Sequence, residues 1–191
     1  MSLYSVVLFA HVLGAIAYIL GAGTRLLVLA SLRRAQRVEQ VRLVATLDNW
    51  LGPIFGIGLL LLLAAGLYLT ITTWGFQTGW IDVALASVLL MAPFGATIME
   101  PRRRAISRLA RELPDGAIPE SLRVRIHDPV LRTAVQTLLI LLLGIVFLMT
   151  TKPSLISSII AMAVALVLGL ASGLFPVGRT RQQPVAHSTP A

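Results

Sequence analysis

The chain has 191 residues, of which 57% are hydrophobic and only 13% charged, and its mean hydropathy is +0.86. A soluble chain carries about 25% charge, so this one has too few polar groups to cover a water-exposed globule. That excludes an ordinary cytosolic enzyme, a disordered regulator and a nucleic-acid-binding domain, and the net charge of +8 is read first as a topology signal.

A helix needs about 20 apolar residues to cross a roughly 30 Å hydrocarbon core. Five stretches qualify, at about 3–30, 50–72, 81–99, 130–150 and 154–175. Leucine and alanine dominate them and no period-two alternation runs through them, so they are helices rather than barrel strands. The expectation is an all-α membrane protein. A five-transmembrane-helix bundle forms one domain over residues 1–177, followed by a disordered cytoplasmic tail at 178–191. With no cysteine, disulfides, thiolate metal sites and thiol nucleophiles are excluded.

The first span is read as retained, because no positive charge precedes it and it is far longer than a signal-peptide core. It places Tyr4, His11, Tyr18 and Arg25 seven residues apart. Each step drifts only about 20°, so the four form one stripe, spread over roughly 30 Å of bilayer depth. Tyr4 and Arg25 suit the two interfaces, where Arg25 can snorkel. His11 lies too deep for that. It is either a neutral imidazole satisfied by a neighbour or a ligand to haem or a metal.

The first loop holds Arg33, Arg34, Arg37 and Arg42, interleaved with Leu32, Val38, Val41, Leu43, Val44 and Leu47. This pattern predicts a helix lying at the headgroups. Asp48 and Asn49 stand where they can cap the second span, with Trp50 at its interface. Gly52 and Gly56 on that span mark a packing face, as Ala10, Gly14, Ala17 and Gly21 do on the first and Ala161, Ala165, Gly169 and Gly173 on the last. Such seams serve intramolecular packing, a homodimer or a larger membrane complex.

Trp74 and Trp80 flank the second connection. The third span contains Met91, Pro93, which should kink it and free a carbonyl near Leu89, and Glu100 at its end. Met91, and Met162 on the last span, match His11 in depth and are candidate thioether ligands to haem iron or copper(I). His127 is roughly 15 Å away in depth, too far for a second axial ligand within one chain. The second loop carries seven arginines from Arg102 to Arg125 and is broken by Pro114, Gly116 and Pro119. Asp128-Pro129 is an N-cap followed by proline at the first helical position. Asp128, Arg132 and Gln136 follow at four-residue spacing. Either Asp128 and Arg132 form a pair along the helix, or with Glu100 and Arg25 they bind an anionic group at the mouth of the bundle. Pro153 opens the fifth span after a tight turn at Lys152.

Thirteen of the sixteen basic residues fall in the first loop, the second loop and the tail. The positive-inside rule then puts the N-terminus outside and the C-terminus in the cytoplasm. The membrane is read as a bacterial inner membrane, with lipid as a partner and no nucleic acid. No phosphate-cradling glycine loop, HExxH or nucleophile setting occurs, and no catalytic residue is assigned.

The stretch His11-Val-Leu-Gly-Ala-Ile-Ala-Tyr-Ile-Leu-Gly21 resembles the opening helix of the CopD-like superfamily, which includes copper-resistance protein D and the HemJ-type protoporphyrinogen oxidases. Phe147-Leu-Met-Thr-Thr-Lys-Pro153 resembles an uncharacterised branch of predicted integral membrane proteins. The resemblance implies haem b or copper held through His11. HemJ-type proteins use a lysine in a later helix, whereas the one lysine here is Lys152, in a turn, so oxidase activity is not expected. The expected function is a small haem- or metal-associated membrane protein, with a structural subunit of a larger complex or a minor transporter as alternatives.

Overall fold

A computed structural model describes residues 2–174 and is all-helical, with no strand among the described residues. Seven α-helices occur among the described residues: α1 (Leu3–Arg34), α2 (Val38–Leu69), α3 (Gly79–Phe94), α4 (Glu100–Glu112), α5 (Glu120–Ile126), α6 (Pro129–Thr151) and α7 (Leu155–Leu174). They supply five segments long and apolar enough to cross a membrane, so the five-span bundle expected from hydropathy is what forms. The tail at 178–191, with Arg179 and Arg181, lies outside the described residues, as does the end of the fifth span at Phe175.

The helices are longer than the bilayer requires. At about 1.5 Å per residue, the 32 residues of α1 reach roughly 48 Å. The surplus lies at one end. There α1 ends in Arg33 and Arg34, α2 begins twelve residues before Trp50, and α3 passes through a π-helical segment, Gly95–Met99, straight into α4. That segment follows Pro93, whose ring cannot sit in a regular helical turn. The expected disturbance of span three is therefore a wide turn that lets the helix continue.

The first loop corrects the reading from sequence. Residues 38–49 do not form a separate helix; they are the start of α2, and Asp48 is in mid-helix rather than at its cap. Val38 and Val41 are buried against Ile106 and Ala110 of α4, Ile118, and Leu122 and Ile126 of α5. Of the eight largest fully buried side chains, six belong to this arginine-rich layer, namely Val38, Val41, Ile106, Leu122, Ile126 and Leu131. Water drives apolar groups together there, whereas lipid gives no such drive between spans.

Polar bonds lock the layer. The Arg42 guanidinium donates to the carbonyls of Ala110 and Leu113 at 3.1 and 2.9 Å and to Asp115 at 2.8 Å, closing the C-terminus of α4. The two loops clasp each other: Val38 N–H donates to Gly116 O at 2.9 Å and Ile118 N–H to Gln36 O at 3.4 Å. Gly116 takes φ +144°, a backbone conformation suited to glycine.

Within the bilayer, α1 and α2 form a close antiparallel pair, and α6 and α7 another. The α1–α2 seam is made by Gly14 and Gly58. A Cβ on Gly14 would come within 2.6 Å of the Leu62 backbone nitrogen, and one on Gly58 within 2.8 Å of Ala17. The α7 seam packs on α6, with Gly169 and Gly173 against Thr137 and Thr133. Two of the three small-residue seams are thus spent inside the chain. α6 also touches α1 and α3, while α2 and α3 scarcely meet. That leaves a crevice between the α1–α2 pair and α3, floored by α6.

Candidate functional site

Two cavities occupy this crevice, one above the other, with Leu142 of α6 lining both. Tyr18 and Phe55, stacked at 4.5 Å between centroids, stand in the cavity nearer the basic layer. The helical register set this up. The seven-residue stripe of α1 faces the crevice along its length, so Tyr4 and His11 reach one cavity while Tyr18 and Arg25 reach the other.

The cavity remote from the arginines measures about 460 Å³ and is lined mainly by apolar side chains from α1, α2, α3 and α6. His11 enters it half-buried. Its Nδ1 lies 3.0 Å from the Leu62 carbonyl, which can only accept, so Nδ1 carries a proton there, and in the neutral ring Nε2 is the lone-pair donor. Gly66 makes room for the ring, since a Cβ there would come within 2.9 Å of its Cε1. At the rim, Lys152 lies over the rings of Trp74 and Trp80, 4.7 and 5.8 Å from their centroids. Met149, one turn before Lys152, lines the same cavity.

The other cavity, about 320 Å³, is lined by Tyr18, Arg25, Gly52, Phe55, Gly56, Met91 and Glu100, among others. Met91 is therefore placed with Tyr18 and Arg25 and not with His11. Met162 packs against Gly144 of α6 and away from both cavities. Helix rise had matched these methionines to His11 in depth but carried no information about which way they turned. Met149 was missed for the same reason, although its four-residue distance from Ile145, another residue of that wall, marks the face it shares.

The polar cluster at the basic end is divided. Asp128 accepts the Val130 N–H at 2.8 Å, as an N-cap should, and pairs at 2.9 Å with Arg102 of α4 rather than with Arg132 of its own helix. Glu100 is held by Arg103 at 2.7 Å and Arg104 at 2.8 Å. Gln136 turns toward α7, accepting from the Ser172 hydroxyl at 3.4 Å. Of the proposed anion-binding set, Arg25 and Glu100 share a cavity; Asp128, Arg132 and Gln136 do not line it. No group of three or more His, Cys, Asp or Glu able to hold a metal ion occurs among the described residues.

A search of the curated proteins and a search of the solved structures each gave no match. A family model described as predicted integral membrane protein (DUF2269) matches residues 5–153, which include four of the five spans and both cavities' walls on α1, α2, α3 and α6. The chain belongs to this family of integral membrane proteins.

Proposed function

We propose that this protein is a haem-associated membrane protein with His11 as an axial ligand, set in a bacterial inner membrane with the arginine-rich layer in the cytoplasm. The observation that carries the reading is the bond from His11 Nδ1 to the Leu62 carbonyl. Ligating histidines commonly donate their second nitrogen to such an acceptor, which fixes the tautomer and raises the basicity of the ligating one. The residues around it suit haem b. The walls are apolar, Lys152 at the rim supplies a cation for a propionate, and Met149 offers a thioether. The resemblance of the His11–Gly21 stretch to the CopD-like superfamily supports the same assignment. Bound haem would supply one-electron chemistry; the chain's own part is to present Nε2, exclude water and balance the propionate charge. The same nitrogen and sulfur donors also suit copper(I), and the spectrum of the loaded protein separates the two.

Protein made with ample haem should show a Soret band. His11→Ala and His11→Gln should both remove it, since glutamine keeps the hydrogen bond but is a poor axial ligand. Met149→Leu should shift the band, and Met91→Leu should leave it in place. Absence of Soret absorbance, with no uptake of haem on titration, overturns the reading.

A further inference from the structure

Arg25 has a charge that the packing around it does not answer. Its guanidinium lies over Phe55, 4.8 Å from the ring centroid. Phe55 is five residues inward from Trp50, about 7.5 Å by helix rise. Of its five possible donors, none makes a hydrogen bond or ion pair to a described residue. The acids in its neighbourhood are engaged. Glu100 accepts from Arg103 and Arg104, and Asp48, which acts on Arg25 through space, is held by Arg103. A cation in apolar surroundings is costly until it meets an anion.

The space beside it is apolar and opens sideways. Gly52 and Gly56 face it, and a Cβ at either would meet nothing within 4 Å. Because α2 and α3 scarcely touch, no packed helix seam closes the cavity between them. A soluble anion would find one guanidinium and otherwise hydrocarbon walls. A lipid satisfies both parts at once.

We propose that this cavity holds one anionic phospholipid, its phosphate on Arg25 and an acyl chain lying against Phe55, Met91, Leu138 and Leu142. The site is distinct from that of His11 and stands or falls separately from the haem reading.

Native mass spectrometry of the full chain in detergent, with phosphatidylglycerol and phosphatidylcholine as competing probes, tests this. One phosphatidylglycerol should be retained in preference to phosphatidylcholine. Arg25→Gln should weaken retention about tenfold, the scale of a lost charged hydrogen bond. Gly56→Leu leaves every charge in place but fills the cavity, and should also weaken it. That variant has open space for its side chain, so it carries the test if Arg25→Gln does not fold. His11→Ala should retain the lipid. Equal retention of the two lipids overturns the proposal, as does unchanged retention in Gly56→Leu or in a folded Arg25→Gln. Loss of the lipid in His11→Ala would move the lipid to the other cavity, and its displacement by millimolar inorganic phosphate would make the site one for a free anion; either overturns the assignment.

Discussion

Arg103 of α4 reaches across the basic layer to Asp48 of α2, its Nε 2.8 Å from Oδ2, with a second guanidinium nitrogen on the same oxygen. Both side chains are largely buried, at 14% and 9% exposure. The pair ties α2 to the α3–α4 rod at the level where those elements pack; deeper in the bilayer α2 and α3 scarcely touch.

The two ends of this pair should not respond equally to removal. Arg103→Ala strands a buried carboxylate and removes one of the two arginines on Glu100, so a loss of about 3 kcal/mol is expected. Asp48→Ala leaves Arg103 on Glu100 and should cost about 1–2 kcal/mol. The double variant should lose less than both together. Unfolding in detergent measures all three, and equal losses from the single variants would show that Glu100 does not hold Arg103.

Topology is testable without removing native thiols, because the chain has no cysteine. Single cysteines at the exposed positions of Arg37 and Arg108 should label from the cytoplasmic side. One at Gln77, in the exposed α2–α3 connection, should label from outside. Labelling of position 77 from the cytoplasm alone would invert the arrangement.

Glycines on α1 should divide by what faces them. Gly14→Ala places a methyl against the Leu62 backbone and should destabilise the α1–α2 pair by about 1–3 kcal/mol. Gly23→Ala meets nothing within 4 Å and should be neutral or stabilising by up to about 1 kcal/mol. Thermal unfolding in one detergent compares them directly.

Lys152 stands at φ +48°, a left-handed conformation that costs a side-chain-bearing residue roughly 1–2 kcal/mol. Lys152→Gly should relieve that strain while losing the cation over Trp74 and Trp80, worth about 0.5–1 kcal/mol. Stability should stay within about 1 kcal/mol of the parent, and tryptophan emission should shift. An unchanged emission spectrum would mean that the ammonium does not rest on those rings.

The spans were legible because length and hydropathy are local properties, and Asp128-Pro129 declared its cap for the same reason. The basic layer was not. Leu32, Val38, Val41 and Val44 form an amphipathic pattern that suits a headgroup helix as well as a packed one. What decides is the presence of Ile106, Ala110 and Leu122, more than sixty residues later in the chain. The site was half legible in the same way. The seven-residue spacing placed Tyr4, His11, Tyr18 and Arg25 on one face, and that face does line the crevice. Which methionine stands opposite His11 depends on how α6 is rotated against α1, a tertiary property that spacing along a single helix does not contain.

The buried core of the basic layer draws on residues from Leu29 to Val135, which gives biosynthesis an order. Until α6 has begun, α1, α2 and α3 can already sit in the bilayer, yet the apolar faces of Val38, Val41 and Ile106 have no complete set of neighbours in water. Closure is non-local and belongs late in synthesis. A chain halted before Pro129 should thus be inserted but vulnerable to protease at its loops, and the fourth crossing becomes the event that shuts the aqueous side.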